Sequence, residues 1–167
     1  GIALDATPSF ENPKEATIAQ AENLTWRLFF EFAAGDASRI GIAISSNVYG
    51  PWTIAEPPFA ARADRWDNWH LSTGPIITGP DSSLMFYNGA SRDAKWRIGW
   101  ITFDKSYQRV IGRGADPIIT PPKPKSDETD IAFAASAVEA GREIWLYYSV
   151  ADKEMKRAVL RLSLIHI

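Results

Sequence analysis

Apolar and polar residues alternate with a period of two along most of this chain, and no stretch of useful length carries a helical spacing. Trp26 to Glu31 alternates and is rich in aromatics, and Arg39 to Ser46, Leu84 to Asn88, Trp96 to Asp104, Glu143 to Ser149 and Met155 to Leu160 behave alike. That is strand chemistry. Turn residues separate the runs at Gly35-Asp36, Gly79-Pro80-Asp81 and Ala140-Gly141. The pattern also repeats. Leu28-Phe29-Phe30, Met85-Phe86-Tyr87 and Leu146-Tyr147-Tyr148 are each followed about ten residues later by an arginine: Arg39, Arg97 and Arg157. Two of these begin the same tripeptide, Arg39-Ile40-Gly41 and Arg97-Ile98-Gly99, and the spacings are 58 and 60 positions.

A strand-built repeat of that length predicts propeller blades. The blades fall at about 15–55, 70–113 and 130–160. The first comprises a short small-residue strand from Glu15, the two long runs, and an outer strand at Gly50-Pro51-Trp52-Thr53. The second opens with an inner strand from His70 to Thr78 and ends at Gln108 to Arg113. A proline-rich connection, Pro117 to Asp127, leads to the third, which lacks a fourth strand. Pro121-Pro122-Lys123-Pro124 must be extended rather than helical. Three blades do not close a ring, so the fold class expected is all-β, a partial β-propeller of about three blades within residues 1–161, five-bladed on the resemblance described below. The six residues at 162–167 match the translation of a sequencing-library adapter and are set aside as a scar. The repeated arginines read as clamps between blades.

Composition narrows the partners. The formal charge of −2 and the lack of a basic cluster argue against nucleic acid and against an anionic membrane surface. No run is long enough to span a bilayer as a helix. There is no cysteine, which excludes disulfides and leaves the compartment open, a cytoplasmic one being slightly favoured. With only two histidines a histidine-rich metal site is not expected, and no cofactor is implied. Seven tryptophans and five tyrosines suit a sugar-binding surface, although blade packing absorbs many of them.

Inner strands of a propeller converge on an axial pocket, so the residues that open them are the candidate site. These are Glu15, His70 and Asp130. Carboxylates gathered at an axis are what glycoside cleavage requires, one protonating the leaving oxygen and the other activating water or attacking. Each could equally cap a strand in a surface loop, and the acidic run Asp127-Glu128 favours that for Asp130. Trp66 and Trp69, just before His70, could stack on sugar rings or pack between blades. By spacing alone Asp152 is a hairpin-turn residue.

Three segments carry a family resemblance: Gly74-Pro75-Ile76-Ile77, Leu84-Met85-Phe86-Tyr87-Asn88-Gly89, and Trp96 through Asp104. With Asp116-Pro117-Ile118-Ile119-Thr120-Pro121 and Leu146-Tyr147-Tyr148-Ser149-Val150-Ala151-Asp152, their order resembles glycoside hydrolase family 130, the five-bladed mannoside phosphorylases and β-mannosidases. The match covers residues 65 to 160 well and 15 to 55 loosely. Gly50-Pro51-Trp52 is shared with arabinanase and invertase-like propellers.

The resemblance implies that Asp152 holds the sugar in the subsite where cleavage occurs. It also implies that the phosphate ligands of the phosphorylases correspond here to His70 or Trp69, then Asn88, then Trp96. A phosphate dianion needs cationic or strong donors. Asn88 is neutral and Trp96 offers one donor, so hydrolysis is expected over phosphorolysis. The family's general acid lies in a Glu-Asp-Pro motif. Glu11-Asn12-Pro13 has an amide in the acid's place, and counting blades back from Asp152 sets the acid upstream of Gly1. The expected function is a glycosidase acting on a β-linked, mannosyl-type sugar. Glu15 is the candidate base, and His70, Asn88, Asp130, Asp152, Trp66 and Trp69 are the candidate substrate contacts. The alternatives are a non-catalytic carbohydrate-binding propeller, a glycoside phosphorylase and a scaffold that binds no sugar.

Overall fold

The computed structural model describes residues 3–125 and 129–161, and every regular element in them is a strand. Sheet 1 comprises β1 (Glu11–Gln20), β2 (Trp26–Ala34), β3 (Ala37–Ser45) and β4 (Thr53–Ala55), in that order. Sheet 2 is built on β7 (Ser83–Ala90), β8 (Trp96–Phe103) and β9 (Val110–Arg113). The inner edge of this sheet is broken into β5 (His70–Ser72) and β6 (Ile76–Thr78), both paired with β7. Sheet 3 is β10 (Ala132–Ala140), β11 (Glu143–Val150) and β12 (Glu154–Arg161). All three are antiparallel meanders, as blades are. The residues at 162–167 lie outside those described.

Period-two alternation lets one strand feed two interfaces. Phe29 of β2 points into the core between sheets 1 and 2, with Ile40, Ile42, Leu71, Met85, Tyr87, Ile101 and Phe103. Its neighbours Leu28 and Phe30 point the other way and bury with Phe10 and Ala43. On β7, Met85 and Tyr87 face sheet 1, while Phe86 joins Ile98, Ala132, Ile144 and Leu146 between sheets 2 and 3. A one-residue slip would exchange these faces, so the apolar pattern pins the register.

The expected continuous strand from His70 to Thr78 is interrupted at Gly74-Pro75. There the backbone passes so close to the Phe86 carbonyl that a Cβ on Gly74 would collide with it. β1 departs from regularity twice, with register shifts between Glu11 and Lys14 and between Lys14 and Thr17. Asn12 and Glu15 take positive φ at these bulges, 52° and 49°. Bulges re-aim side chains and sharpen local twist.

The 56–69 connection between sheets 1 and 2 is held by a buried ion cluster. Asp67 is fully buried and accepts from Arg62 Nε (3.0 Å) and Nη2 (2.9 Å), Arg113 Nη2 (2.6 Å) and the Tyr87 hydroxyl (2.6 Å). Arg62 also donates to the Gly114 carbonyl (2.9 Å) and Arg113 to that of Ala60 (2.7 Å). Burial pushes the Tyr87 phenol above its ordinary pKa, so at neutral pH it is a donor to the carboxylate.

The arginine clamps need correction. Arg39 does join blades, donating to the Trp69 carbonyl at 2.5 Å. Arg97 instead closes its own hairpin through Ser91, Asp93 and the Lys95 carbonyl, and Arg157 lies over Trp145 of its own sheet. A position repeated in sequence meets different neighbours in each blade.

Candidate functional site

Antiparallel pairing brings the starts of the inner strands and the β2–β3, β7–β8 and β11–β12 hairpins to one end of the molecule. His70 pairs with Ala90 and Glu11 with Ala33, at the hairpin ends of β7 and β2. The Asp130 carbonyl accepts from Trp96 N–H (2.9 Å), and that of Ile131 from Ala151 N–H (3.0 Å). His70, Asp130 and Asp152 thus share this end, whereas Glu15, expected to open its strand, lies four residues inside β1, between the pairs Lys14–Glu31 and Thr17–Phe29.

Glu15 lines a groove of about 380 Å³ where the three inner strands converge, with Thr73, Gly74, Phe133 and Ser136. Thr73 Oγ1 donates to the Glu15 carbonyl and ties β1 to the inner edge of sheet 2. His70 lines a second groove of about 340 Å³, between sheets 1 and 2, with Asn12, Lys14, Glu31, Asp36, Ser38 and Trp96. An aromatic row runs between the two. Trp69 meets the His70 ring (4.0 Å), His70 stacks on Trp96 (5.4 Å, 16°), and Trp96 meets Phe133 (5.5 Å).

His70 is held in one tautomer. Ser38 N–H, which can only donate, bonds to its Nδ1 at 2.9 Å, so the neutral ring carries its proton on Nε2. Burial lowers the His70 pKa, and Arg39 and Lys14 act in the same direction. Glu31 and Asp36 oppose them. Because the folded pKa lies below the unfolded one, the stabilising contribution of this group is present above about pH 6.5 and is lost as pH falls through the lowered value. The expected result is a melting temperature that declines between pH 7 and 5.5 in the wild type. His70→Asn, which keeps an acceptor but cannot titrate, should flatten that slope. Equal slopes in the two proteins would contradict this role for His70.

Asp130 Oδ2 lies 3.4 Å from Lys95 Nζ, and its buried Oδ1 has no hydrogen-bond partner. Asp152 is exposed in the β11–β12 turn, at φ 52°, and accepts weakly from Thr129 Oγ1 at 3.4 Å. Both carboxylates therefore retain acceptor capacity at the funnel end.

Two expected substrate contacts are corrected. Asn88 is fully buried, and both ends of its amide are committed to backbone. Its Nδ2 donates to the Thr73 carbonyl (2.8 Å) and its Oδ1 accepts from Ala134 N–H (2.6 Å). It is a tie between sheets 2 and 3. Trp66 is half-buried and packs against the core, stacked on Tyr87 (5.7 Å, 18°) and close to Gly89 and Gly99. A Cβ at either glycine would come within 2.9 Å of its ring, so these two glycines make room for it. Trp69 is half-buried between His70 and the Arg92 guanidinium, 5.3 Å over its ring.

Sequence reasoning passed over Glu31, Lys14 and Phe133. The signal for Glu31 was there: an acid on the same face of β2 as Phe29, in a run otherwise aromatic and apolar. A charge at an inward strand position is the informative exception. Phe133 gave none, since its placement depends on sheet 3 packing against Trp96. Among the described residues no group of three or more His, Asp or Glu is arranged to hold a metal ion.

No family model matches the chain. Over 104 residues it is 27% identical to the β-1,2-mannobiose phosphorylase of Thermoanaerobacter sp. (strain X514), covering 59% of this chain and 34% of that protein. Over that stretch the chain resembles a mannoside phosphorylase. Its fold matches that of the Listeria innocua β-1,2-mannobiose phosphorylase, solved as a complex with β-1,2-mannobiose, at a TM-score of 0.77 and 21% identity, over 92% of this chain and 45% of that one. A putative glycosidase from Bacteroides thetaiotaomicron matches at a TM-score of 0.69 and 18% identity, over 90% of this chain and 51% of that one. The chain thus spans about a third of the curated relative and less than half of the Listeria chain. The three sheets are consecutive blades of a partial β-propeller, and the sequence resemblance to family 130 holds.

Proposed function

We propose that this chain forms part of a propeller glycosidase acting on a β-mannosyl linkage, and that it works by hydrolysis. The β-mannosyl part rests on kinship with the β-1,2-mannobiose phosphorylases. Hydrolysis rests on one observation: the positions expected to bind phosphate offer no cationic pocket. Asn88 is spent on backbone, and His70 and Trp96 share their groove with the Glu31 and Asp36 carboxylates. A dianion entering there meets like charge.

In this reading Asp152 holds the reacting sugar, and Glu15, lining the axial groove, positions water as the base. Asp130 and His70 border the site, and Trp69 supports His70. The second reading, phosphorolysis, is favoured by the names of the relatives themselves.

The deciding assay uses the product of the full open reading frame on β-1,2-mannobiose and aryl β-mannosides, with and without inorganic phosphate. Phosphate-independent release of mannose is expected, and phosphate-dependent release of a sugar 1-phosphate would overturn hydrolysis. Asp152→Asn fits the same positive φ, so its fold should persist while kcat/KM drops about 30-fold, which corresponds to about 2 kcal/mol. Glu15→Gln should lower kcat with little change in KM. An unaltered rate in either variant removes the role assigned to that residue.

A further inference from the structure

The groove between sheets 1 and 2 contains a nearly buried carboxylate, Glu31, held by a single cross-strand ion pair among the described residues. The Glu31 side chain is only 7% exposed, and its one ion-pair partner among the described residues, Lys14 Nζ, is 3.5 Å away on a side chain 60% exposed. Burying a carboxylate costs several kcal/mol unless it is paired and hydrogen-bonded. Among the described residues the two other buried charged side chains, Asp67 and Arg27, are well engaged. Asp67 takes four hydrogen bonds, and Arg27 donates to the Ser106 carbonyl (3.0 Å) and Thr25 Oγ1 (2.6 Å). Glu31 has no comparable shell, although it lines an open groove.

The rest of the groove supplies what such a carboxylate would share with a ligand. His70 has its Nδ1 occupied by Ser38 and keeps Nε2–H as its remaining donor. Trp96 adds a ring, and Asn12 an amide at a bulge. Asp36 lies at the rim, paired with Arg92 at 3.2 Å, which holds its carboxyl below the usual range. Acceptors, one imidazole donor, an amide and an aromatic edge in about 340 Å³ suit a neutral ring bearing hydroxyls. They do not suit an anion, since the two carboxylates outnumber the one ammonium, Lys14, among the lining residues.

We propose that this inter-blade groove is a second saccharide subsite, with Glu31 as its main acceptor and His70 Nε2–H as its donor. The site's ligand is an oligosaccharide that passes the Trp96–Phe133 pair from the axial groove, and inorganic phosphate is excluded. The proposal rests on the reading of the protein as a carbohydrate-active propeller and adds where a second sugar ring sits.

The test uses this chain with ¹⁵N-labelled backbone and ¹³C-labelled histidine, which gives two imidazole signals because it holds only two histidines. A His166→Gln variant assigns the His70 signal. β-1,2-Mannobiose should shift His70 saturably at pH 7.5. Glu31→Gln should weaken that binding at least tenfold. Asn12→Gly, which suits the positive φ and removes only the amide, should weaken it several-fold and guards against misfolding of the Glu31 variant. Inorganic phosphate should leave His70 unmoved. Sugar that shifts Thr73 and Phe133 backbone signals but leaves His70 untouched, or binds Glu31→Gln and Asn12→Gly as well as wild type, overturns the subsite and spares the proposed function. Sugar that perturbs neither groove overturns both. A saturable phosphate shift at His70 overturns the exclusion.

Discussion

Asp67→Ala is expected to destabilise the protein by about 3–5 kcal/mol, because it leaves two guanidiniums facing each other without their counter-charge. Arg62 and Arg113 both reach the same carboxylate oxygen, at 2.9 and 2.6 Å, and their side chains are only 22% and 11% exposed. The Tyr87 hydroxyl, the strongest neutral donor to that oxygen, would lose its acceptor in a fully buried setting. The damage would not stay local. Arg113 also lies over Phe59 (5.1 Å) and Tyr87 (4.8 Å), and Trp66 stacks on Tyr87 at 5.7 Å. Losing the carboxylate therefore loosens the 56–69 connection and one wall of the core between sheets 1 and 2. For a chain of this size the melting temperature should fall on the order of 10 °C. Asp67→Asn keeps the shape and the Tyr87 contact but not the charge, and should lose most of the same stability. A loss under about 1 kcal/mol for both variants, by denaturant titration, would mean that the cluster is not what anchors this connection.

Asn88→Ala is the second large effect, expected at about 2–4 kcal/mol. The cost comes from what is left behind: the Ala134 N–H and the Thr73 carbonyl lose partners at 2.6 and 2.8 Å in a site closed to water. Asn88→Asp separates the two halves of the amide. It can still accept from Ala134 N–H, but an ionised oxygen would then face the Thr73 carbonyl, so destabilisation should grow as pH rises above the carboxylate range. A sugar-contacting asparagine would behave differently, losing ligand affinity with little change in melting temperature. Measuring both quantities in both variants distinguishes the two cases.

The architecture was legible because alternation is a local property. Each of the three aromatic runs, 28–30, 85–87 and 146–148, lies in the second strand of its sheet, and the apolar residues on either face of β2 and β7 fill two different cores. Strand identity, blade order and the shared end of His70 and Asp130 follow from that pattern and from antiparallel pairing, whereas Glu15 falls four residues inside β1 because that strand begins at Glu11. What the pattern could not decide is what each side chain meets across a blade interface. Asn88 and Trp66 were legible as polar and aromatic residues beside a funnel. They pack inward instead because Ala134 and the glycines at 89 and 99 come from other strands to receive them. Glu31 was legible as a charge at an inward strand position, but its place in a groove exists only once sheet 2 sets His70 and Trp96 opposite it. Period two is written in consecutive residues, but burial, ion pairing and the division of the funnel end into two grooves depend on contacts between residues tens of positions apart. The sequence by itself therefore determined the strands and their order. Only the tertiary structure decided which polar residues hold the blades together and which remain open to a ligand.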